Sequence, residues 1–143
     1  MTTKLSFDMC LKQVFPALLR GGEVWMLSER VTAEPAALLS ALGARTKVGL
    51  NCVPSLWKAM LHAMKSGEAA NSHENLAYLL FGGEQLSQEL VDSSIAVLPN
   101  LQIWNIYGPT EATANACAAT IGAGDEVSIG RPFSCLLYTS RCV

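Results

Sequence analysis

The sequence predicts an α/β fold, a mainly parallel sheet flanked by helices, on three observations. Strand-like and helix-like segments alternate along the chain, as they do where crossover helices join parallel strands. Half of the residues are hydrophobic and only 15% are charged, which is enough apolar material for a core and too little charge for disorder. Three loops, after Cys52, at Phe81-Gly82-Gly83-Glu84 and at Tyr107 to Glu111, fall outside the carboxyl ends of strands, where ligands of such sheets bind.

The elements follow in order. Lys4 to Phe7 reads as a short strand. Asp8 can cap a helix in which Leu11, Val14, Phe15, Leu18 and Leu19 recur at helical spacing. Pro16 conflicts with that run and is expected to kink it, and Gly21-Gly22 ends it. Glu23 to Leu27 reads as a strand. Glu34-Pro35 opens a helix, with proline at a tolerated first position, and Gly43 closes it. Val48 to Cys52 is the next strand. Pro54 starts a helix whose Leu56, Trp57, Met60, Leu61 and Met64 form one apolar stripe, a core face. Ser66 to Asn75 is a polar loop. Leu76 to Phe81 is a strand ended by Gly82-Gly83, Ser87 to Leu98 a helix, and Leu101 to Ile106 a strand. Met1 to Ser134 is treated as one domain segment.

Composition excludes several classes of function. A formal net charge of -2 gives no electrostatic case for a nucleic-acid partner. No run approaches the roughly 18 apolar residues that span a bilayer, and MTTKLSFDMC lacks the apolar core of a secretory signal. The five cysteines, Cys10, Cys52, Cys117, Cys135 and Cys142, are scattered and odd in number. They form no CxxC pair, and read as buried thiols of a reducing cytoplasm rather than a disulfide framework or zinc site. His62 and His73 read as solvent-facing. The tail Cys135 to Val143, CLLYTSRCV, breaks abruptly from what precedes it. It resembles the translated junction adaptor of a transposase-based sequencing library and is excluded from fold reasoning.

The sharpest chemical signal is Asn105-Ile106-Tyr107-Gly108-Pro109-Thr110-Glu111. It is a strand end followed by a Gly-Pro turn that presents a hydroxyl and a carboxylate. Gly108 gives the turn backbone freedom and Pro109 stiffens it. A carboxylate and hydroxyl fixed there could hold magnesium and a phosphate. On spacing alone, a solvated turn with Glu111 in water is the better reading.

NIYGPTE resembles the NxYGPTE signature of adenylate-forming, AMP-binding enzymes, most of all the amino-acid adenylation domains of nonribosomal peptide synthetases. Three more segments agree in the family's order: LSFDMCLKQVFPALLRGGEV, LLFGGEQLS and IGRPF. The resemblance implies the large N-terminal subdomain of such an enzyme, acting on ATP with magnesium. It assigns catalytic roles to Thr110 and Glu111, with Glu111 also on the metal, and nucleotide contacts to Gly82, Gly83, Glu84, Asn105 and Tyr107. Asp8 falls where the family pairs a carboxylate with the substrate's α-ammonium group, which points to an amino acid. The serine of the usual LSFDxS is Cys10 here. More weakly, the resemblance implies a side-chain pocket lined by Met9, Lys12, Asn51, Leu79, Phe81, Ile106, Ala114 and Asn115. Phe81 would shorten it, and Lys12 would pair with an acidic substrate or stay on the surface.

In such an enzyme the activated amino acid passes to the phosphopantetheine thiol of a carrier-protein domain. The family's glycine- and lysine-rich phosphate loop and its C-terminal catalytic lysine have no counterpart here, so the chain is expected to be an internal fragment that forms no adenylate alone. An acyl- or aryl-acid CoA ligase of the same superfamily, or an inert nucleotide-binding fragment, remain alternatives.

Overall fold

The computed structural model describes residues 9–67, 74–112 and 115–134, excepting the side chains of residues 9, 12 and 112. Among them five strands form one sheet, in the order β1 (Val48–Cys52), β2 (Leu76–Phe81), β3 (Gln102–Tyr107), β4 (Cys117–Ile121) and β5 (Arg131–Pro132). The pairs β1–β2 and β2–β3 are parallel, and β3–β4 and β4–β5 are antiparallel. The helices are α1 (Met9–Leu19), α2 (Glu29–Ala33), α3 (Pro35–Gly43), α4 (Pro54–Ser66) and α5 (Gln88–Val97). The predicted class therefore holds, with an antiparallel edge added to the parallel part.

Local chemistry explains the element ends. Pro35 and Pro54 sit in the first turns of α3 and α4, where a missing N–H costs nothing. Ser87 caps α5, its hydroxyl accepting from the Leu90 N–H at 3.3 Å. After α1, the Gly22 N–H donates to the Ala17 carbonyl at 2.8 Å, ending the helix where the glycine pair stands. Pro16 does not end α1, which runs through it to Leu19.

One face of the sheet carries Leu50 and Cys52, Leu79 and Phe81, Ile103 and Asn105, and Ile121, each pair in register with the next. That face packs in one core with Leu38, Leu39 and Leu42 of α3, Trp57, Met60 and Leu61 of α4, and Leu90 and Val91 of α5. Within it the Trp57 Nε1–H donates to the Ser94 hydroxyl at 2.7 Å, and that hydroxyl donates to the Leu90 carbonyl at 2.6 Å. The indole is thus buried with its polar atom satisfied.

Two expectations need correction. Glu23 to Leu27 joins no ladder among the described residues. It is fastened by side chains instead: Glu23 pairs with Arg45 at 3.5 Å, and the Arg45 guanidinium lies 5.1 Å from the Trp25 ring. No strand among the described residues pairs with this run. The short helix α2 is an addition to the predicted elements. Its five residues, ERVTA, include two β-branched ones and make no periodic stripe. Lys4 to Phe7, Asp8, His73 and the tail from Cys135 lie outside the described residues; His62 is exposed, as expected.

Candidate functional site

Because β1, β2 and β3 run parallel, their carboxyl ends Cys52, Phe81 and Tyr107 lie at one end of the sheet. There a cleft of about 550 Å³ opens between the loop of residues 83–86 after β2, residues 105–109 at the end of β3, and residues 127–129. That volume falls in the range of small-molecule sites. Tyr107 stands at its rim with about half its surface exposed.

The turn after β3 owes its shape to a close backbone approach. The Ala116 N–H donates to the Tyr107 carbonyl at 2.8 Å. A Cβ on Gly108 would lie 2.5 Å from the Ala116 nitrogen and 2.8 Å from the Asn115 Cα, so no side chain fits. The expected freedom of Gly108 is thus better described as absence of bulk. Gly130, in the IGRPF segment, has φ +75 and would drive a Cβ into the Ala118 carbonyl. Beyond Pro109, Thr110 and Glu111 form a single 3₁₀ turn, and both are exposed. No cation among the described residues pairs with Glu111.

Asn105 is 7% exposed and directs its Nδ2 to the Ser128 carbonyl at 2.8 Å, so the strand end is tied to the opposite wall. Glu84 also lines the cleft, but its carboxylate is engaged elsewhere. Val53, at the N-cap of α4, has no side chain able to cap. Glu84 supplies the acceptor from a distance: Oε2 takes the Ser55 N–H at 2.9 Å and Oε1 takes the Ser55 hydroxyl at 2.8 Å. An anion at a helix N-terminus is stabilising. Burial pushes the neighbouring Cys52 thiol up from 9.0 to about 12, and the Glu84 charge adds to the effect. Cys52 is therefore an inert core thiol.

The family model for the AMP-binding enzymes, described as "AMP-binding enzyme", matches residues 1–138. The chain belongs to the AMP-binding enzyme family. It is 33% identical over 114 residues to a plipastatin synthase polypeptide of Bacillus subtilis (strain 168), a match covering 80% of this chain and 3% of that protein. It is 32% identical over 108 residues to the D-alanine--D-alanyl carrier protein ligase of Bacillus cereus (strain G9842), covering 76% of this chain and 21% of the ligase. Among solved structures it resembles holo-AB3403, a four-domain nonribosomal peptide synthetase bound to AMP and glycine. That likeness has a TM-score of 0.74 and 29% identity, over 91% of this chain and 9% of the other. The chain thus spans a small part of the proteins it matches.

As an AMP-binding family member the chain brings some expected site residues together and separates others. Gly83, Glu84, Asn105, Ile106 and Tyr107 line the cleft, and Gly82 is buried beside it. The expected side-chain pocket is divided. Leu79 and Phe81 are fully buried on the helix-covered face of the sheet. Asn51 pairs with Leu80 and Ile106 with Ala118, so both belong to the opposite face. Strand alternation places these pairs on opposite faces, and Phe81 packs into the core. Asn115 is half-buried, and its Oδ1 is buried without a hydrogen-bond partner. The side chains of Met9 and Lys12, and all of Asp8 and Ala114, lie outside the described residues.

The wall of residues 127–129, with Gln85 and Leu86, adds to the expected site. Its one sequence signal is the apolar alternation of Val127 and Ile129 just before IGRPF. No groups of three or more His, Cys, Asp or Glu residues able to hold a metal, and no helix long and apolar enough to cross a membrane, occur among the described residues.

Proposed function

We propose that this chain carries the nucleotide-facing part of an ATP-dependent amino-acid-activating enzyme. The observation that carries the reading is the convergence of the 83–86 loop, Asn105 and the Tyr107 ring in one cleft at the strand ends. A half-exposed phenol ring beside a largely apolar wall offers a flat base a stacking surface. Thr110 and Glu111, on the next turn, offer a hydroxyl and a carboxylate with no cation partner among the described residues to a phosphate and its cation. Magnesium is commonly held through one or two carboxylates plus substrate phosphates, so this donor set fits, with Glu111 as the protein ligand. When bound, ATP supplies the α-phosphorus that the amino-acid carboxylate attacks, and pyrophosphate leaves.

The names of the relatives support an amino-acid substrate and transfer to a carrier-protein phosphopantetheine thiol. Asp8 is the proposed partner of the α-ammonium group, since a charge-assisted contact discriminates against plain acids. Met9, Lys12, Asn51, Ile106, Ala114 and Asn115 are the proposed lining of the side-chain pocket. The orphan Asn115 Oδ1 supports its inclusion, because a donor on the substrate would satisfy a buried acceptor that otherwise costs stability. Leu79 and Phe81 bear on that pocket only through the core beneath it. Cys52 and Cys117, neither of them in a disulfide, support a reducing cytoplasm. The domain segment is proposed to end near Ser134, so deletion of the tail should leave thermal stability unchanged.

Calorimetry with AMP and GMP on the 143-residue chain tests the nucleotide reading. AMP should bind and GMP should bind more weakly. Tyr107→Ala should weaken AMP binding roughly tenfold or more, the usual cost of losing a stacked base. Absence of AMP binding by the folded chain, or binding indifferent to Tyr107→Ala, overturns the reading.

A further inference from the structure

The far wall of the cleft is built from irregular backbone. Residues 125–130 join no ladder, yet Val127, Ser128 and Ile129 line the cleft. Backbone polar groups in such a segment need partners, and their geometry is only as fixed as those partners are. Here side-chain amides supply them. Gln88, in the first turn of α5, accepts the Val127 N–H on Oε1 at 2.9 Å and donates Nε2 to the Asp125 carbonyl at 3.0 Å. The same Nε2 donates to Asp92 Oδ1 at 3.0 Å, one helical turn along. Asn105 donates Nδ2 to the Ser128 carbonyl at 2.8 Å.

The Gln88 amide thus does what a peptide group of an adjacent strand would do. It takes one N–H and gives to one C=O on either side of Glu126. The orientation of the amide is not arbitrary. The Val127 N–H can only donate, so the oxygen must face it, and Asp92 can only accept, so the nitrogen must face Asp92. All three hydrogen-bonding capacities used by Gln88 are directional, and two of them reach residues 37 and 39 positions away. Gln88 is exposed and belongs to no core cluster. Its place follows from α5, and its amide is held by these hydrogen bonds.

We infer that Gln88 is a positioning residue for the cleft, holding residues 125–128 where residues 127–129 form the wall opposite Tyr107. The inference rests on the nucleotide reading for its consequence and on the hydrogen bonds for its mechanism. Gln88 touches no ligand; it acts through the wall.

The test uses the 143-residue chain with Gln88→Met and Gln88→Ala. Methionine keeps the length and the helix propensity and removes every hydrogen bond, so agreement of the two variants isolates the amide. Hydrogen–deuterium exchange across residues 122–130 should rise roughly tenfold in both variants, as expected when a local clamp opens without global unfolding. AMP should bind roughly three- to tenfold more weakly, in line with one or two lost neutral hydrogen bonds. Thermal midpoints should stay with the wild type, and saturating AMP should slow the raised exchange again. Unchanged exchange overturns the clamp. Raised exchange with unchanged AMP affinity overturns its role in the cleft. A lowered midpoint that accounts for the weaker binding reduces Gln88 to a stability residue and also overturns it. If the wild type binds no AMP, the nucleotide reading fails and the inferred role in the cleft falls with it; exchange in that case still reports whether the clamp itself exists.

Discussion

The two faces of the sheet differ more than their sequences do. Strands β2 and β3 carry apolar residues on both sides, as strands of parallel sheets do, whereas β1 presents Gly49 and Asn51 to the open face. On one face Leu50, Cys52, Leu79, Phe81 and Ile103 are at most 4% exposed beneath α3, α4 and α5. On the other, Tyr78 is 42% and Trp104 38% exposed, and none of the described helices seals them off from solvent. Apolar character written into a strand is therefore not stability. Only the face that meets a partner layer gains from burial, at roughly 25 cal/mol per Å². Among the described residues, the open face leaves part of its apolar surface in water.

The largest expected effect follows directly. Trp57→Ala or Phe81→Ala empties a fully buried site and should cost about 3–5 kcal/mol, enough to unfold a marginal chain. Trp104→Ala, on the open face, should cost clearly less, because 38% of its surface already meets water. Urea unfolding of the three variants checks the contrast. Similar losses for Trp57 and Trp104 would mean that the two faces are energetically alike.

Ser94 sharpens the account of the covered face. Removing its hydroxyl strands the Trp57 N–H in the core, and Ser94→Ala should cost about 1–3 kcal/mol. In the Trp57→Phe background the same change should cost less, since no donor remains to be orphaned. A double-mutant cycle measures the difference. Equal costs in both backgrounds would show that the hydroxyl matters only through its bond to the Leu90 carbonyl.

Much of the fold is legible in the sequence. Pro35, Pro54 and Ser87 mark helix starts, Gly21-Gly22 a helix end, and the apolar runs of β1 to β3 match the observed strands within a residue or so. Those signals are local. What escapes them is set by partners distant in sequence. Glu23 to Leu27 has a strand's composition, but no strand among the described residues pairs with it. The opposite wall of the cleft depends on Gln88 reaching 39 residues along the chain, which no spacing rule encodes. The division of the expected pocket is, by contrast, available from strand parity. Leu79 and Phe81 are two apart and share a face, and Asn51 stands in register with Leu80 between them.

Cys52 gives the covered face a pH signature. Its folded pKa is raised from 9.0 to about 12, so the folded state holds its proton longer than the unfolded one. The stabilisation is fully present below pH 9 and is lost as pH rises toward 12. Stability should fall by about 1.4 kcal/mol per pH unit once the unfolded thiol ionises. Cys52→Ala should flatten that slope between pH 9 and 10 relative to wild type, measured by urea midpoints. An unchanged slope would assign the alkaline loss to other groups.

The smallest expected effect lies on the open face and decides whether that face is packed at all. Gly49 stands opposite Tyr78 in the β1–β2 register. The Tyr78 ring lies across Gly49, so a Cβ built there would fall among the ring's outer atoms. On the covered face such an overlap would be costly, because close-packed neighbours cannot give way. Here the obstacle is the far end of a side chain that is 42% exposed, free to swing into water. Alanine also loses less backbone entropy on folding than glycine, which offsets roughly 0.5–1 kcal/mol of the disturbance. Gly49→Ala should therefore fold with stability within about 1 kcal/mol of wild type, and the displaced phenol should show a changed tyrosine environment in NMR. A loss comparable to that of Phe81→Ala would mean that the ring is pinned, and that the open face is as tightly packed as the covered one.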